Sequence, residues 1–170
     1  SVMSELSLQE RLQPSLLDRL RDDAPGERSE LPSDRVLTMS QLRRSVQRDL
    51  AWLLNACNLH REVAGYTEVE RSVINYGISD LAGFTASSLD VGELERHLHR
   101  ALEYFEPRLL KHSVRLKTEI DPDAMSHNTL VILIDCDLWA IPTPVELLLR
   151  TELDFDTGDV TISDLSARSR

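Results

Sequence analysis

One change of rhythm constrains this chain more than any other feature: at Pro107 the spacing of apolar residues passes from the helical period to the alternation of strands. Upstream, Leu42, Val46, Leu50, Leu53 and Leu54 recur at helical spacing while Arg43, Arg44, Gln47 and Arg48 face away. This predicts a packed helix from Ser40 to about Asn55. Leu94, Leu98, Ala101, Leu102 and Phe105 make a second stripe. Asp90 and Glu93 have the spacing of a reciprocal cap at its start, and Pro107 pushes Glu106 out of the helical region, so that helix ends at about Phe105. Between the two, residues 69–76 before Gly77 predict a shorter helix stopped by a C-terminal glycine. Residues 80–88 read as a turn-rich connection.

Downstream of Pro107, Val114, Leu116, Thr118 and Ile120 alternate with Arg115, Lys117 and Glu119. Leu130, Ile132, Ile134, Cys136 and Leu138 share one face of the next run, and Val145, Leu147, Leu149, Thr151 and Leu153 one face of the run after it. These are three half-buried strands, with residues 160–162 a weaker fourth. Helices first and strands last predict an α+β fold: N-terminal helices followed by a small, mainly antiparallel sheet of three to four strands.

At 170 residues the chain fits one domain that needs no metal or disulfide staple. Leu16, Leu17 and Leu20 follow Pro14 on one side of a short helix over 14–21, and residues 22–38, rich in Pro, Gly, Ser and charge, read as a linker. The expected division is therefore an N-terminal helical arm and linker over 1–38, an α+β domain over 39–163, and a disordered tail over 164–170. No stretch approaches the roughly 20 apolar residues of a membrane span, and no basic-then-apolar leader opens the sequence. A cytoplasmic protein without direct membrane insertion is expected. Cys57 and Cys136 lie far apart without CxxC spacing, so reduced thiols are the simpler reading.

The net charge is −10, and residues 113–170 carry 5 basic against 11 acidic side chains. That balance argues against nucleic acid, whose affinity comes from Lys and Arg, and suits a basic protein partner. Enzyme chemistry finds few handholds. His97 and His99 stand roughly 200° apart around a helix axis and cannot converge on one metal; His60, His112 and His127 lack partners at ligand spacing. No phosphate loop, GxSxG or HExxH occurs. A glycoside hydrolase needs two carboxyls across a cleft, for which Glu106, Asp121, Asp135 and Asp137 are the candidates. With eight aromatic residues in all, a sugar-stacking surface is unexpected. No catalytic residue, cofactor or metal is assigned.

The most informative local feature is Glu106-Pro107-Arg108. In an extended segment residues 106 and 108 point the same way, so a carboxylate and a guanidinium stand side by side at the junction of helix and sheet. Two readings are compatible: an intramolecular salt bridge pinning that junction, and a fork-shaped contact offered to a partner, for which Arg suits better than Lys. Arg108→Ala is expected to weaken such a contact while leaving the fold largely intact.

Four segments in order resemble one family, TssE, related to the contractile-phage baseplate wedge protein often labelled lysozyme-like. They are Pro14-Ser-Leu-Leu-Asp-Arg-Leu20, Arg48-Asp-Leu-Ala-Trp-Leu-Leu-Asn55, Ser72-Val-Ile-Asn-Tyr-Gly77 with Asp80 and Leu81 after it, and Glu106-Pro-Arg-Leu109. The chain departs at Ala56-Cys57, where many members carry Thr-Arg. The resemblance implies a structural component of a type VI secretion baseplate, placed with TssF, TssG and TssK around the spike hub. There it would stabilise the wedge and initiate polymerisation of the TssB–TssC sheath, by strand addition at an edge of the C-terminal sheet. Glu106, Pro107 and Arg108 are the implied wedge contact. Asn75, Tyr76, Gly77 and Asp80 form a motif read as architectural. Pro14, Leu16, Leu17, Asp18 and Leu20 are a candidate second partner segment. A peptidoglycan hydrolase and a regulatory adaptor of the same fold are the alternatives.

Overall fold

Four antiparallel strands lie side by side in the order in which the chain makes them: β1 (Arg115–Glu119), β2 (Thr129–Leu138), β3 (Val145–Asp154) and β4 (Val160–Asp164). The protein is seen in a computed structural model that describes residues 15–20, 38–59, 63, 65–80, 90–119, 129–140 and 143–166. The helices are α1 (Leu16–Leu20), α2 (Met39–Leu54), α3 (Thr67–Glu70) and α4 (Val91–Phe105). Helices followed by an antiparallel sheet make this the α+β fold that the change of period predicts. Residues 22–37 of the linker expected over 22–38, residues 81–88 of the expected connection, and Pro14, Ile120, Asp121, His60 and His127 lie outside the described residues.

Alternation does what it should. Leu130, Ile132, Ile134, Cys136 and Leu138 of β2 and Leu147, Leu149 and Leu153 of β3 are buried on one face. They share a core with the apolar stripes of the helices: Leu42, Val46, Leu50, Leu53 and Leu54 of α2 and Leu94, Leu98, Ala101 and Leu102 of α4. A one-residue slip would turn the whole set outward, so burial fixes the register. α2 opens with a full capping box, in which the Thr38 hydroxyl accepts from Gln41 N and Gln41 Oε1 accepts from Thr38 N. α4 is capped by Asp90, whose Oδ1 accepts from Glu93 N.

Two expectations change in the details. The helix expected over 69–76 is α3 followed by a separate 3-10 turn, Val73–Asn75. Asn75 Nδ2 donates to the Glu70 carbonyl at 3.0 Å, the acceptor that a continuing α-helix would offer to residue 74, and Val73 and Ile74 are 82% and 67% exposed, so no apolar face holds a longer helix. Gly77 accordingly caps no α-helix. It serves a close approach: at φ 120° its backbone runs against Ala56, where an added Cβ would stand 2.1 Å from the Ala56 carbonyl oxygen. Ile78 N then donates to Ala56 O and Asn58 N to Ile78 O. At the other end, the weak strand expected over 160–162 runs on to Asp164, and Leu165 N and Ser166 Oγ stay bonded to Leu148, so the first residues of the expected tail are ordered against β3. Residues 167–170 lie outside the described residues.

Candidate functional site

α4 stops at Phe105, and Glu106, Pro107 and Arg108 then carry the chain across to the end of β2. There Trp139 N donates to Arg108 O at 2.8 Å, Leu110 N donates to Asp137 O at 2.9 Å, and Leu109 bridges Leu138. The extended step expected here is instead a turn over Pro107 and Arg108, closed by Leu109 N donating to Glu106 O at 3.2 Å, and this turn between the end of α4 and the bridge to β2 brings the Arg108 side chain back onto Glu106. Arg108 grips Glu106 with Nε to Oε1 at 2.7 Å and Nη2 to Oε2 at 2.5 Å, while its backbone N–H donates to Oε1 at 3.1 Å. Glu106 is 3% exposed and Pro107 is exposed.

The guanidinium reaches further. Arg108 Nη2 donates to Asp49 Oδ2 at 2.7 Å and Nη1 to Ser45 Oγ at 3.1 Å. The other Asp49 oxygen accepts from Arg48 Nε at 2.8 Å, and Arg48 Nη1 donates to Asp18 Oδ1 at 2.7 Å. Asp18 Oδ2 accepts from both Ser45 Oγ and Ser15 Oγ at 2.7 Å. Charges therefore alternate along a chain from α1 through α2 to the helix–sheet junction: Asp18, Arg48, Asp49, Arg108, Glu106. The α2 members, Ser45, Arg48 and Asp49, fall three and four residues apart and so occupy one face of the helix. Trp52, four residues beyond Arg48, extends that face, and the Arg48 guanidinium carbon lies 5.1 Å from its ring centre.

Electrostatics follow from this geometry. Burial works against ionisation of Asp18, but hydrogen bonds from Ser15, Ser45 and Arg48 and the Arg48 charge outweigh it and hold the carboxyl at about 2. Burial likewise opposes the Arg108 charge, and Glu106 and Asp49 more than offset it, so Arg108 stays cationic. Tyr76, whose ring meets Phe105 edge-on at 5.3 Å, is pushed up by burial and by the nearby Asp49 and Glu106 charges. Cys136, beneath the same junction, is pushed up to about 12 by burial, with Asp135, Asp137 and Glu106 adding to it. Cys57 is a free thiol at the surface.

The structure brings Glu106, Arg108 and Asp18 together and sets Tyr76 beside them, its hydroxyl donating to the Asp49 carbonyl at 3.4 Å. It keeps others apart. Asn75 and Gly77 order a separate loop, where Asn75 Oδ1 accepts from Leu59 N at 3.0 Å, and Asp80 lies exposed beyond it. α1 is turned opposite to the usual amphipathic sense: Asp18 docks it, while Leu16 and Leu20 are 71% and 75% exposed. Leu17, Leu20, Arg48 and Trp52 line a shallow hollow of about 240 Å³. Sequence reading gave no site role to Ser45 or Asp49, the latter entering only within the Arg48–Asn55 segment; the signal was the three- and four-residue spacing of Arg48 and Asp49 from Ser45.

For the hydrolase candidates, both Glu106 oxygens are engaged by Arg108, and Asp135 and Asp137 lie on strand β2, half-buried. His97 lies beside Glu93 and His99 beside Glu103, both at 3.9 Å and one helical turn away in opposite directions. Among the described residues no three His, Cys, Asp or Glu side chains cluster as metal ligands, and no helix is long and apolar enough to cross a membrane.

No curated protein and no solved structure matches the chain. Residues 40–143, more than half of the sequence, match a family model described as baseplate wedge protein gp25. The matched stretch takes in α2 with Ser45, Arg48 and Asp49, the Asn75–Gly77 loop, α4, the Glu106–Arg108 junction and the first two strands. The chain belongs to the baseplate wedge protein gp25 family, of which TssE is the type VI secretion homologue, and its role is that of a structural baseplate part.

Proposed function

We propose that the protein is a wedge component of a type VI secretion baseplate that stabilises the wedge complex and initiates sheath polymerisation. In this reading an N-terminal arm over 1–38 and a domain over 39–163 act together in the cytoplasm, at the inner face of the cell envelope. TssF, TssG and TssK are the wedge partners, the spike hub lies nearby, and TssB and TssC form the sheath that grows from it.

The observation that carries the reading is the placing of exposed apolar side chains against the charge chain. Leu17, Leu20 and half-exposed Trp52 stand beside Arg48, with exposed Leu16 on the same short helix, and Arg48 reaches through Asp49 to Arg108. Trp and Arg flanked by aliphatic groups are the composition of an interface hot spot, and side chains held in place by internal bonds lose little freedom on binding. Glu106, Pro107 and Arg108 contribute to the wedge contact by presenting exposed Pro107 and the outer edge of the held guanidinium. Pro14 to Leu20 supplies the apolar part.

Arg108→Ala is a poor test of this, because it strands the buried Glu106 carboxylate and so compromises the fold as well as the contact. The decisive experiment is co-purification of the tagged chain with co-expressed TssF, TssG and TssK, wild type beside Leu16→Glu/Leu20→Glu. Both leucines are exposed, so the variant stays folded, and its capture is expected to fall at least tenfold. Absence of capture by the wild type would overturn the wedge role, and equal capture of both would move the contact off α1.

A further inference from the structure

An open sheet has two edges, and the described residues treat them differently. Along β4, a row of side chains from α2 and its C-cap, Asn55, takes the place of a neighbouring strand. Asn55 Oδ1 accepts from Val160 N at 2.9 Å while its Nδ2 donates to Val160 O at 2.8 Å, so one side-chain amide satisfies both backbone groups. Gln47 Nε2 donates to Ile162 O at 2.8 Å, and Arg43 pairs with Asp164 at 3.6 Å. Arg43 and Gln47 are one ridge step apart. Such a step rises about 6 Å, close to the roughly 7 Å spanned by two strand residues, which lets the ridge keep pace with the edge. β4 is closed to an incoming strand.

β1 is not. It pairs with β2 on one side, and among the described residues no backbone group pairs with its other side. α4 meets it through side chains, Thr118 Oγ1 donating to Glu95. The charge there also runs against the rest of the molecule. Residues 111–119 carry Lys111, Arg115 and Lys117 against Glu119 in a chain of net −10, and Lys111, Arg115 and Lys117 are exposed. The β4 end carries Asp154, Asp156, Asp159 and Asp164 instead.

We propose that β1 is the receiving edge of the sheet and that its occupant is an extended acidic segment of a partner protein, an inference that rests on the sheath-initiating reading above. The incoming strand pairs its backbone with Arg115–Glu119. Acidic side chains at alternate positions lie beside Arg115 and Lys117, and the intervening side chains, apolar, cover half-buried Leu116. Cross-strand pairing of opposite charges sets its register.

The test uses the full chain and two end-blocked probe peptides at millimolar concentration, one of alternating Glu and Val and one of alternating Lys and Val. The readout is amide hydrogen exchange. The Glu/Val peptide is expected to protect 115–119 and to leave 160–164 unchanged. Arg115→Glu/Lys117→Glu, at two exposed positions, should weaken it at least tenfold and admit the Lys/Val peptide instead. Protection at 160–164, protection indifferent to the charge reversal, or no protection at 115–119 would overturn the proposal and leave Arg115 and Lys117 as guards against edge pairing. Sheath formation from co-expressed TssB and TssC separates the two readings. A wild type that takes the peptide at β1 yet nucleates no sheath sinks sheath initiation alone. Sheath nucleated equally by wild type and the charge-reversed variant sinks the β1 edge as its receiving site.

Discussion

Arg108 binds Glu106 through two guanidinium nitrogens and its own backbone N–H, across a single intervening proline. Pro107 makes this possible by excluding the helical conformation at Glu106, which would have sent the two side chains apart. Nη2 of the same guanidinium also donates to Asp49, and the one remaining nitrogen, Nη1, donates to Ser45, so the pair fastens α2 to the helix–sheet junction. A lysine keeps the charge but has no planar fork with which to serve Glu106 and Asp49 together. Arg108→Lys should therefore lower the unfolding free energy by about 2 kcal/mol, and Arg108→Ala by about 4 kcal/mol because Glu106 is then buried without a partner. Urea denaturation followed by far-UV circular dichroism checks the order of the two.

Asp18 ties α1 to Ser45 and Arg48 with a carboxyl held at about 2, below its ordinary value of 3.8. A group depressed on folding stabilises the bound state above its unfolded value and loses that contribution as pH falls through the folded one. Docking of α1 should be complete above about pH 4 and decline as pH falls towards 2. Trp52 reports it, because Arg48 lies over its ring. In a Trp139→Phe background, wild-type fluorescence should shift in that window, whereas Asp18→Asn should give the undocked signal already at pH 7.

Much of this was legible in the sequence, for reasons that differ by element. The strands were readable because burial on one face imposes alternation, which β2 shows from Ile132 to Leu138, although Val131 is buried as well. α4 was readable because Asp90 and Pro107 mark both ends by backbone chemistry. Glu106 and Arg108 were legible as a pair from their opposite charges on either side of Pro107, although the extended step expected there is a turn closed by Leu109 N on Glu106 O. Asp49 and Ser45 were not, since their roles depend on a residue 59 or more positions away, and periodicity carries no such information. The split of 69–76 into two short turns hinges on one side-chain amide, Asn75, competing for the Glu70 carbonyl. The inverted docking of α1 escaped for a related reason: an apolar stripe suggests burial, and a single aspartate overrode it.

Gly77 tests the loop where Asn75 and Tyr76 sit. Its φ of 120° is one that side chains rarely adopt, and an added Cβ meets the Ala56 carbonyl at 2.1 Å. Both penalties fall on the short bridge between Cys57 and Ile78. Gly77→Ala should cost about 3 kcal/mol or more, at the severe end for a single methyl. Thermal unfolding measures it. Gly65→Ala provides the contrast, since it also has positive φ but nothing lies within 4 Å of its Cβ position, so its smaller loss isolates the steric part.

Thr151 should behave in the opposite sense. It lies on the buried face of β3, 1% exposed, between Leu149 and Leu153, opposite Ile132 of β2 and Ile162 of β4. Its hydroxyl oxygen has no hydrogen-bond partner among the described residues. A buried hydroxyl left unbonded carries its desolvation cost with nothing to offset it. Valine keeps the β-branched shape and strand preference and replaces the hydroxyl with a methyl that its neighbours can contact. Thr151→Val should therefore raise the unfolding free energy by about 1 kcal/mol, whereas Thr151→Ser, which keeps the hydroxyl and opens a methyl-sized gap, should lower it. A rise in the urea midpoint for valine with an unchanged m-value is the expected result. A fall would mean that the hydroxyl is bonded in solution.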